Sequence, residues 1–347
     1  MLRSSGFINT LAAFGHLASS SPTQSYTATD VFQQGVLEGP SIGDFISSAQ
    51  GFDGPKVRPI NNTAYDWWYF DVVSKDLKSN TGITFLSAPH SGFVSSNRAS
   101  DDMLFVSFSL STAEFPDYGF VANATEATVL GICVTTVDIP ELNTTGSITF
   151  KSIAPPHYPT GPVMAGLSME VSPGVGWANA IPAAEAEVYY KINDTEVKFT
   201  GYGYHDKNWG VEPFIDHVDS WYWGHGTVGP YNVVWFDVLH TSGSEHVSAY
   251  VAKDGEIVTA KASGLTIRPT GNFTFPPSRG DLPPGFRMEI DMEEGILDID
   301  IVNTQFSISH FDFYHRWIGS LTGRIRGQEE VFTGQGLYEQ YALVQRH

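Results

Sequence analysis

The chain has a single cysteine, Cys133, among 347 residues. One thiol excludes an intrachain disulfide and a thiolate zinc cage. Its neighbours Val129, Leu130, Ile132 and Val134 are aliphatic, so the sequence predicts a buried strand position rather than an activated nucleophile. Charge is also scarce. Charged residues make up 16% and hydrophobic ones 41%, which is too apolar for a disordered chain. Basic residues are scarcer still: 19 Lys+Arg against 38 Asp+Glu leave a formal charge of −19. That balance argues against nucleic acid or an anionic membrane surface as partner. No apolar run reaches the roughly 18 residues of a spanning helix, so no membrane insertion is expected.

Several chemical motifs are missing as well. The sequence holds no G-x-G-x-x-G after a strand, no Walker loop, no H-E-x-x-H and no G-x-S-x-G elbow. The 11 histidines are scattered, and His205, His217, His225 and His240 lack tight ligand spacing. The expectation is therefore no cofactor and no metal.

Residues 1–24 read as a tail or weak signal-like segment: Arg3, then Phe7–Leu17 interrupted by Asn9, then small residues. Sequons at Asn61, Asn123, Asn143, Asn193 and Asn272 leave the secretory pathway open, with a cytoplasmic location favoured.

What the sequence does have is rings and strands. Aromatics reach 13%, enough to line a core or pocket. From Tyr65 onward, short runs rich in Val, Ile, Thr, Phe and Tyr alternate with turn residues, such as Lys253-Asp254-Gly255 between two strand-like runs. Helical periodicity is almost absent. An internal echo suggests duplication: Tyr65-Asp-Trp-Trp-Tyr-Phe-Asp-Val-Val73 against Tyr231-Asn-Val-Val-Trp-Phe-Asp-Val-Leu239. The reading is all-β, with one β domain over 25–215 and a second over 216–347.

Three segments carry candidate chemistry. On a strand, Trp67, Tyr69 and Asp71 point one way and Asp66, Trp68 and Phe70 the other. Asp66 is either a polar anchor in an apolar cavity or a turn-holding residue; Asp71 reads as the latter. In Gly203-Tyr-His-Asp-Lys-Asn-Trp-Gly210 the side chains cannot all leave on one face, which suggests a tight irregular turn. His205 and Asp206 fit a structural role there better than an acid–base one, and Trp209 fits a pocket wall. In Trp221-Tyr-Trp-Gly-His-Gly226, Trp221, Trp223 and His225 share one strand face. Gly224 and Gly226 share the other, where something packs close to the backbone. The ring stripe suits either a flat unsaturated ligand or an ordinary aromatic core.

These three segments, extended by Asn62-Thr-Ala before Tyr65, resemble the carotenoid hydratase-like superfamily. More closely they resemble its fungal branch, the lipocalin-like Diels–Alderases. Tyr314-His-Arg-Trp-Ile-Gly319 and Gly336-Leu-Tyr-Glu-Gln-Tyr341 also fit that branch. The resemblance implies two lipocalin-like β-barrel or sandwich domains with the pocket between them. It also implies a cofactor-free intramolecular [4+2] closure of a linear polyene, of tetramic acid or pyrrolone type. Matching motifs assign Asp66, Trp223 and Tyr231 to catalysis, and Trp68, Trp209, Trp221, His225 and Trp317 to substrate binding. The family's basic contact near the C-terminus finds no Lys after Arg326. The partner implied is a small polyene. Such a reaction needs a shaped, dry cavity and a hydrogen bond to the dienophile carbonyl, donated by Tyr231 or a protonated Asp66. Two other functions remain open: a hydratase or isomerase of a terpenoid-like polyene, and a non-catalytic carrier.

Overall fold

The computed structural model describes residues 30–33, 35–48, 52–88, 104–123, 126–129, 134–310 and 312–346. The segment 1–24 and Cys133 lie outside them. Among the described residues, nearly all regular structure is antiparallel strand in two large curled sheets. This is the all-β architecture expected from the strand-like runs, in the lipocalin-like form that the family resemblance implies. No helix among the described residues is long and apolar enough to cross a membrane.

The spine of the first sheet is Val175–Ile192, Thr195–Gly210, Tyr65–Ser74, Asn80–Ser87 and Leu104–Ser111, in that spatial order. The spine of the second is Tyr231–His240, Val218–Val228, Phe332–Ala342 and Tyr314–Ile325. A single short helical turn, Phe214–His217, leads from one sheet into the other. Hydrogen-bonded pairing fixes which residues share a face. Tyr204 lies opposite Asp71 and Lys207 opposite Trp68. In the second sheet Glu339 lies opposite both Trp223 and Arg316. Period-two alternation then sends neighbouring side chains to opposite faces of each sheet.

Buried apolar residues fall into four clusters. One fills the first sheet's own concavity, with Trp68, Phe70, Ile83 and Phe150. One fills the second sheet's, with Tyr231, Trp235, Phe286, Trp317 and Tyr338. The third lies between the sheets and joins Tyr69, Trp177 and Tyr204 to Trp221, Trp223 and Phe236. The fourth sits on a flank, where Trp209 packs with Phe52, Val57 and Ile60 of the lead-in segment.

Two expectations change here. Residues 203–210 are not an irregular turn; they are the regular end of the strand Thr195–Gly210. Main-chain pairing on both sides holds them extended. The echo between 65–73 and 231–239 joins two real strands, but they face oppositely. Tyr65 belongs to the cluster between the sheets, whereas Tyr231 belongs to the second sheet's interior.

Candidate active site

The strand end 203–210 divides its polar side chains between two tasks. His205, Lys207 and Trp209 leave on the face turned from the other sheet. There they hold the lead-in segment. His205 Nδ1 lies 2.8 Å from the Tyr69 carbonyl, and Nε2 lies 3.0 Å from Asp53 Oδ1. A carbonyl only accepts, so Nδ1 carries a proton. The Asp53 carboxylate, aided by that carbonyl, outweighs burial and raises the His205 pKa. The result is an imidazolium–carboxylate pair stacked on Phe70 at 3.9 Å. Lys207 Nζ meets Asp66 Oδ1 at 2.7 Å, with both side chains fully buried, and donates to the Gly54 carbonyl at 2.9 Å. The Lys56 amide donates to Asp66 Oδ2 at 2.7 Å. Trp209 Nε1 donates to the Asp44 carbonyl at 3.0 Å.

These contacts place Asp66, Trp209 and Trp68 away from the other sheet. Burial raises the Asp66 pKa against the pull of Lys207, but both its oxygens are engaged by cation or amide and neither faces the space between the sheets. Trp209 is fully buried against the lead-in segment, and Trp68 donates its Nε1 to the Asp53 carbonyl at 2.9 Å under the Lys207 ammonium. Neither lines the space between the sheets. The same holds for two residues of the second sheet's interior. Trp317 packs on Phe286 and Tyr338. Tyr231 packs on Phe332 and donates to Glu294 at 3.3 Å. Trp209, Trp223 and Tyr231, expected around one hollow, therefore occupy three different clusters.

The opposite faces of the same strands meet across the molecule. Trp221, Trp223 and His225 come together here, against residues of the first sheet. His225 stacks on Tyr204 at 4.1 Å and its Nε2 lies 2.8 Å from Asp71 Oδ2. Trp223 meets Tyr69 and Tyr204 edge-on at 5.4 and 5.2 Å. Asp206 accepts from Trp177 Nε1 at 2.7 Å and from the Tyr204 hydroxyl at 2.8 Å. Burial pushes its carboxyl up to about 7, against the pull of those two donors. Gly224 and Gly226 do face the second sheet's interior, where an added Cβ on Gly224 would stand 2.4 Å from the Trp235 ring.

Beside this ring cluster lies a polar group that the residue patterns did not single out. Glu339 accepts from Tyr314 at 2.7 Å, from Arg316 Nη2 at 2.9 Å and from Trp221 Nε1 at 3.1 Å. Arg316 lies over the Tyr69 ring at 4.5 Å. Across from them, side-chain size drops sharply. Tyr69 and Asp71 pair with Thr84 and Gly82, which pair in turn with Ser107 and Ser109. A Cβ on Gly82 would lie 3.1 Å from Arg316 Nη1 and 3.6 Å from the Tyr69 hydroxyl. Gly, Ser and Thr facing Arg and Tyr make a polar patch between the sheets, the recess, with Arg316 and Tyr69 closing over Gly82. Thr84 and Ser107 in its floor are only half-buried. Two buried oxygens at its edge, Tyr69 Oη and Asp71 Oδ1, have no hydrogen-bond partner. Such orphans are costly in a core and are expected where a ligand supplies the missing bond. Burial holds the Tyr69 phenol well above its ordinary pKa, so it stays a neutral donor.

The signal for this group was present in the two C-terminal segments, 314–319 and 336–341. Trp317 was taken from the first, yet its neighbour Arg316 faces the recess. Among the described residues, no three His, Cys, Asp or Glu side chains converge as a metal site.

The recess and its fold can be set beside known proteins. The family model described as Diels-Alderase-like matches residues 124–274. The chain is 31% identical to the quinolone epoxide rearrangement protein asqO of Emericella nidulans, over 88% of this chain and 91% of that protein. It is 32% identical to the quinolone epoxide rearrangement protein penF of Penicillium thymicola, over 87% and 91% respectively. In architecture it is similar to the crystal structure of CghA with Sch210972, with a TM-score of 0.73 at 17% identity, covering 92% of this chain and all of that one. Relatives of these kinds support cyclase or isomerase activity. Two curled antiparallel sheets and identity sustained along most of the chain place this protein in the Diels–Alderase-like family of fungal lipocalin-like proteins.

Proposed function

We propose that the protein is a cofactor-independent isomerase that opens an epoxide on a quinolone-type substrate and rebuilds the ring system without gain or loss of atoms. The observation that carries this reading is the unpartnered Tyr69 hydroxyl beside the Arg316 guanidinium, both within 4 Å of where a Cβ on Gly82 would stand. When an epoxide C–O bond breaks, its electron pair stays on oxygen. A neutral phenol and a fixed cation aimed at one point stabilise that charge as it grows. They do so without reorganising, because Glu339 and the surrounding rings already hold them. Trp223 and Tyr204 supply rigid walls that keep water from a reactive centre. The relatives named for quinolone epoxide rearrangement favour this substrate class.

A second reading keeps the same donors. In an intramolecular [4+2] closure they would polarise the dienophile carbonyl of a polyenoyl tetramic acid or pyrrolone. The Diels-Alderase-like family match favours it.

The test is incubation of the purified chain with a quinolone epoxide and, separately, with a linear polyenoyl tetramic acid. Products are compared by mass and NMR. An isomer of unchanged mass from the epoxide, formed about 10²-fold or more slowly by Tyr69→Phe, is the expected result. Conversion of the polyene alone would select the second reading. If neither compound is converted, or Tyr69→Phe works at the wild-type rate, the reading is wrong.

A further inference from the structure

Tyr69 polarises the oxygen, but burial raises its pKa and disfavours the phenolate that proton loss would leave. An epoxide oxygen that keeps the electron pair needs a proton from elsewhere. We infer that Asp71 and His225 form a proton relay that joins the recess to solvent through a narrow slot at the edge of the two sheets. This rests on reading the recess as the place where the epoxide opens.

Three observations meet here. First, Asp71 is fully buried and divided in its contacts: Oδ2 faces His225 Nε2 at 2.8 Å, while Oδ1 has no partner. Its cross-strand neighbour is Gly82, so the carboxyl borders the same missing side chain as the Tyr69 hydroxyl. Second, one proton must lie between Asp71 and His225, because two bare acceptors at that distance would repel. Third, His225 lines a slot with Val73, Gly203, Gly226, Gln335 and Gly336, whose free volume is about 10 Å³. That is room for about one water molecule. The slot reaches the surface, since Gly226 and its neighbour Thr227 are half-buried.

The steps balance. The one proton shared between His225 Nε2 and Asp71 moves onto Asp71, which delivers it to the oxygen that retains the electron pair of the broken C–O bond. Water in the slot then returns a proton to the imidazole, which restores the shared position. The substrate group that closes the new ring releases one proton to solvent, so none is gained or lost overall. Asp71 is the catalytic residue; His225 acts through it.

One test needs no substrate. In protein labelled with ¹⁵N-histidine, the His225 Nε2 proton is expected to exchange with water at least about 10²-fold faster than the backbone amides of Trp223 and Phe236. Ala183→Leu, which fills the slot wall, is expected to slow it at least about tenfold. A proton as persistent as those core amides in the wild type refutes the relay, whatever the substrate proves to be. A second test uses turnover of the quinolone epoxide. His225→Ala is expected to lose about 10²-fold, within the range of general acid–base catalysis. Added imidazole is expected to restore at least about tenfold. Pyrazole, of the same shape but far less basic, is expected to restore nothing. Equal rescue by both would mean that His225 only fills space, and the relay would fall while the epoxide reading stood.

Discussion

At the scale of single residues, the recess holds buried polar atoms without partners, which cost stability. Tyr69 places a hydroxyl in a dry interface without a partner. Removing that oxygen while keeping the ring removes an uncompensated polar group, so Tyr69→Phe is expected to leave the melting temperature unchanged or raised while turnover drops. Thermal denaturation beside product formation checks both, and a lower melting temperature would show that the hydroxyl has a structural partner. Lys207 is the opposite case. Its ammonium is fully buried against Asp66 and the Gly54 carbonyl. Lys207→Met strands the carboxylate and is expected to cost about 3–5 kcal/mol in chemical denaturation. The paired change Asp66→Leu with Lys207→Met should recover most of that, because the charge and its partner leave together. Both residues stand in motifs visible in the sequence, yet only the pairing register tells which is a strut and which touches the recess. Asp66 and Asp71 looked alike as aspartates beside rings. Five residues apart on one strand, they face opposite ways: Asp66 meets Lys207 and the Lys56 amide, whereas Asp71 meets His225.

At the scale of elements, alternation was the most informative pattern and also the source of the errors. It correctly divided 65–74 and 221–226 into two faces. It could not say which face meets the other sheet, because both faces are buried and both carry rings. Trp317 and Arg316 are adjacent, and choosing the indole over the guanidinium selected the wrong side of the strand. The echo at 231–239 misled in the same way, placing Tyr231 by analogy with Tyr65 although their faces differ. The prediction about Gly224 and Gly226 rested on something firmer, since an absent side chain means close approach on either face. Gly224→Ala would bring a methyl 2.4 Å from the Trp235 ring and 2.5 Å from Tyr338 Cβ. It is expected to destabilise by about 1–3 kcal/mol or more. Urea titration checks this, and a change below about 0.5 kcal/mol would mean that the strand moves aside freely.

At the scale of the whole molecule, the contact between the two sheets holds its rings and charges in one buried layer. Gln335 reaches the Ser74 carbonyl at 2.9 Å, His157 stacks on Tyr250 at 4.1 Å and Trp177 meets Phe236 edge-on. The fold class and the layer's aromatic content were legible from composition and strand pattern. The recess was not, because its floor is made of Gly, Ser and Thr, which carry no signal singly and gain meaning only opposite Arg316 and Tyr69. The layer also carries a titration. The Asp206 carboxyl sits near 7 in the folded state against 3.8 for the free side chain. Between those values the native protein holds a proton that the unfolded chain has released. This group's contribution is therefore full at acid pH and is lost as pH rises from about 4 through about 7. The whole difference is on the order of 4 kcal/mol. Asp206→Asn keeps acceptors for Trp177 and Tyr204 without titrating. The gap between wild-type and variant stability curves is expected to move by a few kcal/mol across that window. Parallel curves would place the carboxyl at an ordinary value.

The split personality of residues 205–209 bears on how this kind of protein diversifies. His205, Lys207 and Trp209 fasten the leading segment, while the proposed chemistry sits across the sheet in side chains that the fastening does not touch. On that proposal, drift in the recess can alter what is made without loosening the clasp. Proteins that share these five letters should therefore be expected to share a shape long after they have ceased to share a product.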